Sequence, residues 1–522
     1  MASITRSTAL VMALALLAKA LGFLRHVVVA AYFGTSQTMD ALVVAVTIAG
    51  LTLVWLENPI RIVIVPLLAR AIGQRGPAAA WRDTGTLLGT VMAVVIVVAA
   101  LQAAVAPYLV AVVAPGLGAE AAELTATIVR VLALAVVLTG LARFLTAVGH
   151  AHQRFGRAGL AGSLDSLIVA GAVVLLGPAL GIWSLTFGIV LGALAQIVLQ
   201  LPLVWTDRHH LAPRIDFRSP VLGRLLRLGW PVVVGTGGSG LARVSDRFFA
   251  SLLPAGRLSA LSYGHQLTFA AFGLLVAPLT TVLVPALSRT AGAADHEELS
   301  RRLGRALRLL ALGVVPVAVG IAVLHEPIVR LVFERGAFTE ESTRLTSRVV
   351  LFYALGLPAY ALSHVLGYAF YSIEDTRTPM VAGLGRLALQ VALSAVLIGP
   401  LAHVGLAVAE SVSFVAKALW LFLKLPAPLR GRDHVRVVRS FAVTLALGGV
   451  MAAVLVALVP PLEASVSPDG AFWTSLVVLA CGAAIGGGVY LALSMALQRA
   501  EIRDLFRVVR AGLLRPQRAP AA

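Results

Sequence analysis

Charge is what this sequence has least of. Asp, Glu, Lys and Arg make up 13% of its 522 residues, about half the share found in soluble domains. Hydrophobic residues make up 59% and the mean hydropathy is +0.93, which excludes a water-soluble enzyme of this size. A single cysteine, Cys481, excludes an internal disulfide and any cysteine-based metal site. Six stretches, 84–119, 166–206, 258–288, 349–373, 440–462 and 470–498, hold no charged residue at all. Each is long enough for a membrane span of about 20 residues, and 166–206 for two. The fold class is therefore all-α and polytopic. No connection between spans exceeds about 25 residues, which leaves no room for an extramembrane catalytic domain. His150/His152 and His209/His210 sit in basic connections with Asp207 as their one acidic neighbour, so no metal site is expected there. No catalytic constellation is present, and the chain does not read as an enzyme.

The charge that is there is mostly one sign. The formal net charge is +18, but the arginines fall in short clusters between apolar segments, a pattern of topology signals rather than a groove for nucleic acid. Apolar windows give about fourteen spans: 8–33, 39–68, 86–112, 124–145, 159–177, 182–204, 226–253, 259–288, 306–325, 346–371, 380–399, 404–424, 438–459 and 472–495. Connections after spans two, four, six, eight, ten and twelve carry Arg or Lys, among them Arg70, Arg154, Arg208, Arg289, Arg377 and Lys424. Those after spans one, three, five, eleven and thirteen carry none. The positive-inside rule then puts both termini in the cytoplasm, and the Arg-rich tail from Arg499 to Arg518 agrees. Arg6, the run Ala9–Ala18 and the triplet Ala18-Lys19-Ala20 resemble a signal peptide. A first membrane helix is favoured, because a Lys inside a cleavage site is unusual and the apolar pattern resumes at once.

A repeat is also legible. Arg25 to Gly34 aligns with Arg247 to Gly256, and Leu176-Gly177-Pro178 with Ile398-Gly399-Pro400. Spans one to six thus match spans seven to twelve in the same orientation, an arrangement that places a substrate site between two halves in transporters. The expected division is an N-lobe over 1–205, a C-lobe over 206–430, and spans 13 and 14 with a basic tail over 431–522.

Ionisable groups inside spans are costly and usually mark a pathway. Span one carries Lys19, Arg25 and His26 around Gly22; span two carries Asp40, then Glu57 and Arg61 around Pro59. Mutual pairing, Arg25 with Asp40 and Glu57 with Arg61, is one reading. The other is a cationic site for an anionic ligand, with Lys19, Arg25 and Arg61 binding substrate and Asp40 and Glu57 as cavity acids. Arginine suits phosphate because its planar fork donates two hydrogen bonds and stays charged. Arg243, Asp246 and Arg247 lie on span seven after the glycine-rich run Gly235–Gly240, which reads as a helix break or close-packing stretch, not a phosphate loop. Asp165, Glu410, Lys417 and His364 look isolated, with packing or snorkelling as their explanation.

The sequence resembles the MurJ/MviN family of lipid II flippases, in the multidrug/oligosaccharidyl-lipid/polysaccharide exporter superfamily. The resemblance rests on Leu21-Gly-Phe-Leu-Arg25, Phe33-Gly34, Asp40-Ala41, Phe249 to Leu253, Phe333-Glu-Arg-Gly-Ala-Phe-Thr339 and Asp375-Thr-Arg-Thr-Pro379. It implies two six-helix lobes around a cationic cavity, a groove for a lipid tail beside two extra C-terminal helices, and Lys19, Arg25 and Asp40 at the family's helix-one and helix-two positions. Family cations on helices two and eight meet Thr52-Leu53-Val54 and His265-Gln266 here, with Arg61 and His265 the nearest substitutes. Arg243, Asp246, Arg247, His265 and Gln266 are therefore the second-lobe candidates. The function implied is a flippase of the bacterial cytoplasmic membrane, carrying lipid II outward for cell-wall synthesis by alternating access. The alternatives are export of another polyprenyl-linked oligosaccharide and cation-coupled efflux on the same fold. Expected partners are the lipid-linked glycan, membrane lipid and proteins of cell-wall synthesis, with no nucleic acid. No cofactor is expected, and a coupled monovalent cation is left open.

Overall fold

A chain this apolar has to satisfy its backbone polar groups internally wherever water is missing, and the helix does so within one segment. The computed structural model describes residues 2–205, 213–273, 296–426, 429, 433–465, 471–504 and 507, and among them every regular element is a helix. In chain order they are α1 (Ala2–Phe33), α2 (Gln37–Pro59), α3 (Val65–Arg75), α4 (Pro77–Ala104), α5 (Ala106–Val113), α6 (Ala119–Ala151), α7 (Phe155–Leu180), α8 (Ile182–Trp205) and α9 (Pro220–Ser251). Then come α10 (257–273), α11 (His296–Val323), α12 (His325–Phe333), α13 (Glu340–Ser372), α14 (Arg377–Leu423), α15 (Asp433–Ser465) and α16 (Ala471–Leu497). Arg208 and Arg289, expected to mark cytoplasmic connections, His209 and His210, and the tail beyond Arg507 lie outside the described residues.

Among the described residues eleven helices are long and apolar enough to cross a membrane. One of them, α14, has 47 residues, or about 70 Å at 1.5 Å per residue, more than twice a hydrocarbon core of about 30 Å. It is broken at Ala402 (φ 49, ψ −134), so the expected spans 380–399 and 404–424 are its two arms. Expected span 226–253 is α9, an unbroken helix of 32 residues. Its glycine-rich centre and charged ends keep it from the apolar eleven. The helix is not broken at Gly235–Gly240; a Cβ on Gly240 would touch Leu51 at 3.4 Å, while Gly238 has open space around it. Expected span 259–288 is described only as far as residue 273. Pro59 ends α2, and because proline gives no N–H to the ladder, the next turn, Ile60–Ile64, is a π-helix leading into α3.

The repeat is written in the helix lengths. α6 and α13 have 33 residues each, starting at 119 and 340, 221 residues apart. α4 and α11 have 28 each, and α1 and α9 have 32 each. The turns repeat too. Gln153 (φ 59) precedes α7 and Glu374 (φ 64) precedes α14. The break between α7 and α8 is Gly181 (φ 53, ψ −134), and its counterpart is Ala402 with nearly the same angles.

By packing, the chain forms two compact units. The first is Met1–Ser259 with Arg335–Phe338, and the second is Ala260–Glu334 with Thr339–Ala522. In the first, α1 lies on α7, α7 on α8, and α2 on α6 and α9. One apolar cluster there gathers Ile64, Leu68, Trp81, Leu87, Phe144 and Val148. In the second, α11 packs on α13 and α15, and α16 on α12 and α15. Tyr490 of α16 donates to the Leu312 carbonyl of α11 at 3.0 Å, fixing the terminal pair.

Two of the motifs that carry the family resemblance have a direct cause here. Gly34 (φ 51) ends α1, and the Ala337 N–H donates to the Ala31 carbonyl at 2.7 Å. A Cβ on Gly34 would collide with the Ala337 carbonyl, and one on Gly336 (φ 60) with that of Ala31. Gly256 (φ 87) is the repeat counterpart of Gly34, and a Cβ there would collide with the Thr35 carbonyl. A left-handed L-residue costs roughly 1–2 kcal/mol before any collision. Gly256→Ala is therefore expected to lower the melting temperature of the detergent-purified protein by several degrees. Gly171→Ala, inside α7 with open space around it, does not lower the temperature. Equal melting of the two variants, read by tryptophan fluorescence, would contradict this account of the turn.

Candidate functional site

In the first unit, three apolar helices bring polar groups to one place. Arg25 of α1 meets Asp165 of α7, Nη1 to Oδ2, at 3.3 Å. Gln196 of α8 donates its amide to Asp165 Oδ1 at 3.1 Å. Each lies in a stretch apolar enough to span a membrane: Leu16–Phe33, Gly156–Leu180 and Ile182–Leu203. The approach depends on small residues. A Cβ on Gly192 would sit 2.6 Å from Asp165 Oδ1, so glycine is what lets α8 come alongside, while Gly22 of α1 faces Ser166 with room for a Cβ at 3.8 Å. Both charged side chains keep about a quarter of their surface open. Arg143 of α6 also lies in electrostatic range of Asp165. The pairing of Arg25 with Asp40 is thus corrected: Asp165, which looks isolated in the sequence, is the partner.

Asp40 is committed elsewhere. It is 4% exposed, and its two oxygens accept the Gly256 and Ser259 N–H groups at 2.7 Å each. These are free donors at the start of α10, so Asp40 caps that helix across from α2. Arg247 lies in electrostatic range of the same carboxylate, and its Nε donates to Thr47 Oγ1 at 3.2 Å. Asp246 is buried and Arg243 is exposed on α9. Glu57 falls on the last turn of α2 and Arg61 in the π-turn; their side chains lie outside the described set. Lys19 is exposed on α1, two turns before His26.

The second unit holds a larger polar and aromatic cluster. His265 of α10 stacks on Phe269 with centroids 4.1 Å apart, and its Nε2 lies 4.0 Å from Glu410 Oε1. Gln266 donates to Ser262 Oγ at 3.3 Å, while its own Oε1 is buried without a hydrogen-bond partner among the described residues. Tyr360 of α13 is the hub: its ring meets Phe269, Phe272, His364 and Phe414 at 4.5–4.8 Å. Arg386 of α14 stands 4.5 Å over the Phe414 ring and donates to Gln390 at 2.6 Å. Lys417 is in electrostatic range of Arg386 and His364. His265 and Gln266 were expected to matter; Arg386 was not. The signal was available, since Arg386 is an ionisable residue inside an apolar span.

The repeat turns this cluster into a comparison. With the landmarks at 153/374 and 181/402, Asp165 corresponds to Arg386 and Gln196 to Lys417. Arg25 corresponds to Arg247 by the Gly34/Gly256 register. A trio of cation, acid and amide in the first half is answered by three cations in the second. Among the described residues no group of three His, Cys, Asp or Glu could hold a metal ion.

These features define a multi-pass helical membrane protein built as a tandem repeat, with ionisable groups held inside its spans. A family model described as "Lipid II flippase MurJ" matches residues 29–477, and the chain belongs to that family. It is 28% identical over 507 residues to a probable lipid II flippase MurJ of Rhizobium meliloti, covering 94% of this chain and 93% of the relative. It is 28% identical over 420 residues to the lipid II flippase MurJ of Burkholderia cenocepacia, covering 78% and 81%. Among solved structures, a lipid II flippase MurJ in an inward closed conformation superposes with a TM-score of 0.77 at 21% identity, covering 95% of this chain and 100% of that one. An inward-facing multidrug transporter of the MATE family superposes with a TM-score of 0.68 at 13% identity, covering 82% and 94%. At those identities the likeness is one of fold.

Removing one partner from an ion pair held out of water leaves an unanswered charge. Asp165→Ala is expected to reduce the thermal stability of the purified protein clearly, and Arg25→Gln combined with Asp165→Asn to recover most of the loss. A double-mutant cycle should give a coupling of about 1–3 kcal/mol. Strictly additive effects would mean that the pair contributes nothing.

Proposed function

We propose that this chain moves lipid II, the polyprenyl-pyrophosphate-linked precursor of peptidoglycan, from the cytoplasmic to the outer leaflet of a bacterial inner membrane. The observation that carries the reading is the family match over residues 29–477. The transport cycle is one of alternating access between an N-lobe of 1–205 and a C-lobe of 206–430. Residues 431–522 supply two further helices and a basic tail. Fourteen crossings put both termini in the cytoplasm, where the basic connections lie.

In this reading the pyrophosphate is bound by Lys19 and Arg25 on α1, with Arg61 in support. A guanidinium presents five N–H donors, and the ion pair with Asp165 engages Nη1. The rest of the fork serves a phosphate, and Asp165 and Gln196 hold the side chain in position for it. Arg243, Asp246, Arg247, His265 and Gln266 are the second-lobe contacts for the sugar-peptide head, and the buried Gln266 Oε1 is an acceptor awaiting a donor. Asp40 contributes as the cap that sets α10, and Glu57 as the acid beside Arg61. Catalysis of a covalent step has no part in this account.

Native mass spectrometry of the purified protein tests the reading. Lipid II should bind in preference to another polyprenyl-pyrophosphate glycan. The Lys19→Ala/Arg25→Ala variant should bind about tenfold or more weakly, a loss of roughly 1.4 kcal/mol or more. Equal binding of both glycans would shift the cargo to another lipid-linked oligosaccharide. Unchanged binding in the double variant would remove α1 from the site.

A further inference from the structure

We propose that the first unit carries a separate site for an anionic phospholipid of the phosphatidylglycerol class, at the shared end of α7 and α8. A groove of about 600 Å³ lies there, lined by Arg157, Val198, Leu201, Pro202 and Trp205. Its composition is that of a lipid: one fixed cation, one indole and an aliphatic wall. Arg157 is exposed on the first turn of α7, and Trp205 is the last residue of the antiparallel α8, so both stand at one end of the helix pair.

The apolar wall continues away from that end. Leu194, Val198, Leu201 and Trp205 are all exposed large side chains, spaced four, three and four residues apart. They form one stripe along α8. From Leu194 to Trp205 the stripe rises about 17 Å at 1.5 Å per residue, close to half of a 30 Å hydrocarbon core. An acyl chain of one leaflet fits that length. Tryptophan at the end of the stripe marks headgroup level, where its ring meets apolar chains and its N–H meets water.

The charge favours an anion. Arg154 already satisfies the end of α8, donating Nη1 to the Leu203 carbonyl at 2.5 Å. Arg157 is therefore a second cation at the mouth, in position for a phosphate. A phosphatidylcholine of the same acyl chains carries its own cation, which Arg157 disfavours. The site stands apart from the Arg25–Asp165–Gln196 trio and does not depend on the cargo proposed for it.

The test is native mass spectrometry of the full chain with phosphatidylglycerol and phosphatidylcholine of identical acyl chains. The wild type should retain phosphatidylglycerol at least about fivefold more than phosphatidylcholine. Arg157→Ala should bring the ratio close to one, Arg157→Lys should keep it, and Arg82→Ala, an exposed arginine elsewhere, should leave it unchanged. Melting curves of each variant check that the fold is intact. Trp205→Ala should weaken retention of both lipids. Equal retention of the two lipids by the wild type, or a preference that survives Arg157→Ala, would overturn the proposal.

Discussion

A charge inside an apolar span has to be answered by another polar group, and much of this molecule follows from how that demand is met. The Arg25–Asp165 pair ties α1 to α7, and Gln196 ties α8 to both. Gly192 is required because α7 and α8 must approach closely enough for Asp165 and Gln196 to touch. The same demand shapes α2, where Asp40 spends both oxygens on the start of α10. Isolated charges would cost several kcal/mol each in hydrocarbon. Held as networks, they fix helix positions without filling the spans with charge.

The repeat shows what the two halves share and where they part. Helix lengths, positive-φ turns and the break at Gly181 or Ala402 recur with almost the same angles. The backbone plan was kept even where glycine was lost, as at Ala402. The charges were not kept. Asp165 and Gln196 in one half stand where Arg386 and Lys417 stand in the other, and Arg386 lies over the Phe414 ring and donates to Gln390.

Much of the fold was legible because membrane helices announce themselves by length and hydropathy. The expected spans 124–145, 182–204 and 472–495 fall within α6, α8 and α16. Pro59 cannot donate to a helix ladder, and a π-turn follows it. Where the reading fell short, the missing information was three-dimensional. Asp165 is 140 residues from Arg25, and nothing in spacing or composition could join them. Arg25 and Asp40 are close in sequence, which made their pairing one reading, yet they sit on helices turned by the sharp bend at Gly34. Arg386 was visible as a charge in a span, but its role depends on Phe414 and Gln390, which only packing brings to it.

Arg25 is the cation on α1 that pairs with Asp165 and that the proposed pyrophosphate would meet, so transport should depend on it. The direct measurement is the rate at which fluorescent lipid II crosses the bilayer of proteoliposomes holding the wild-type protein or its Arg25→Ala variant, with incorporation matched by immunoblot. A tenfold or greater loss of translocation in the variant is the result the account predicts. Translocation at the wild-type rate by an equally incorporated Arg25→Ala protein would contradict it.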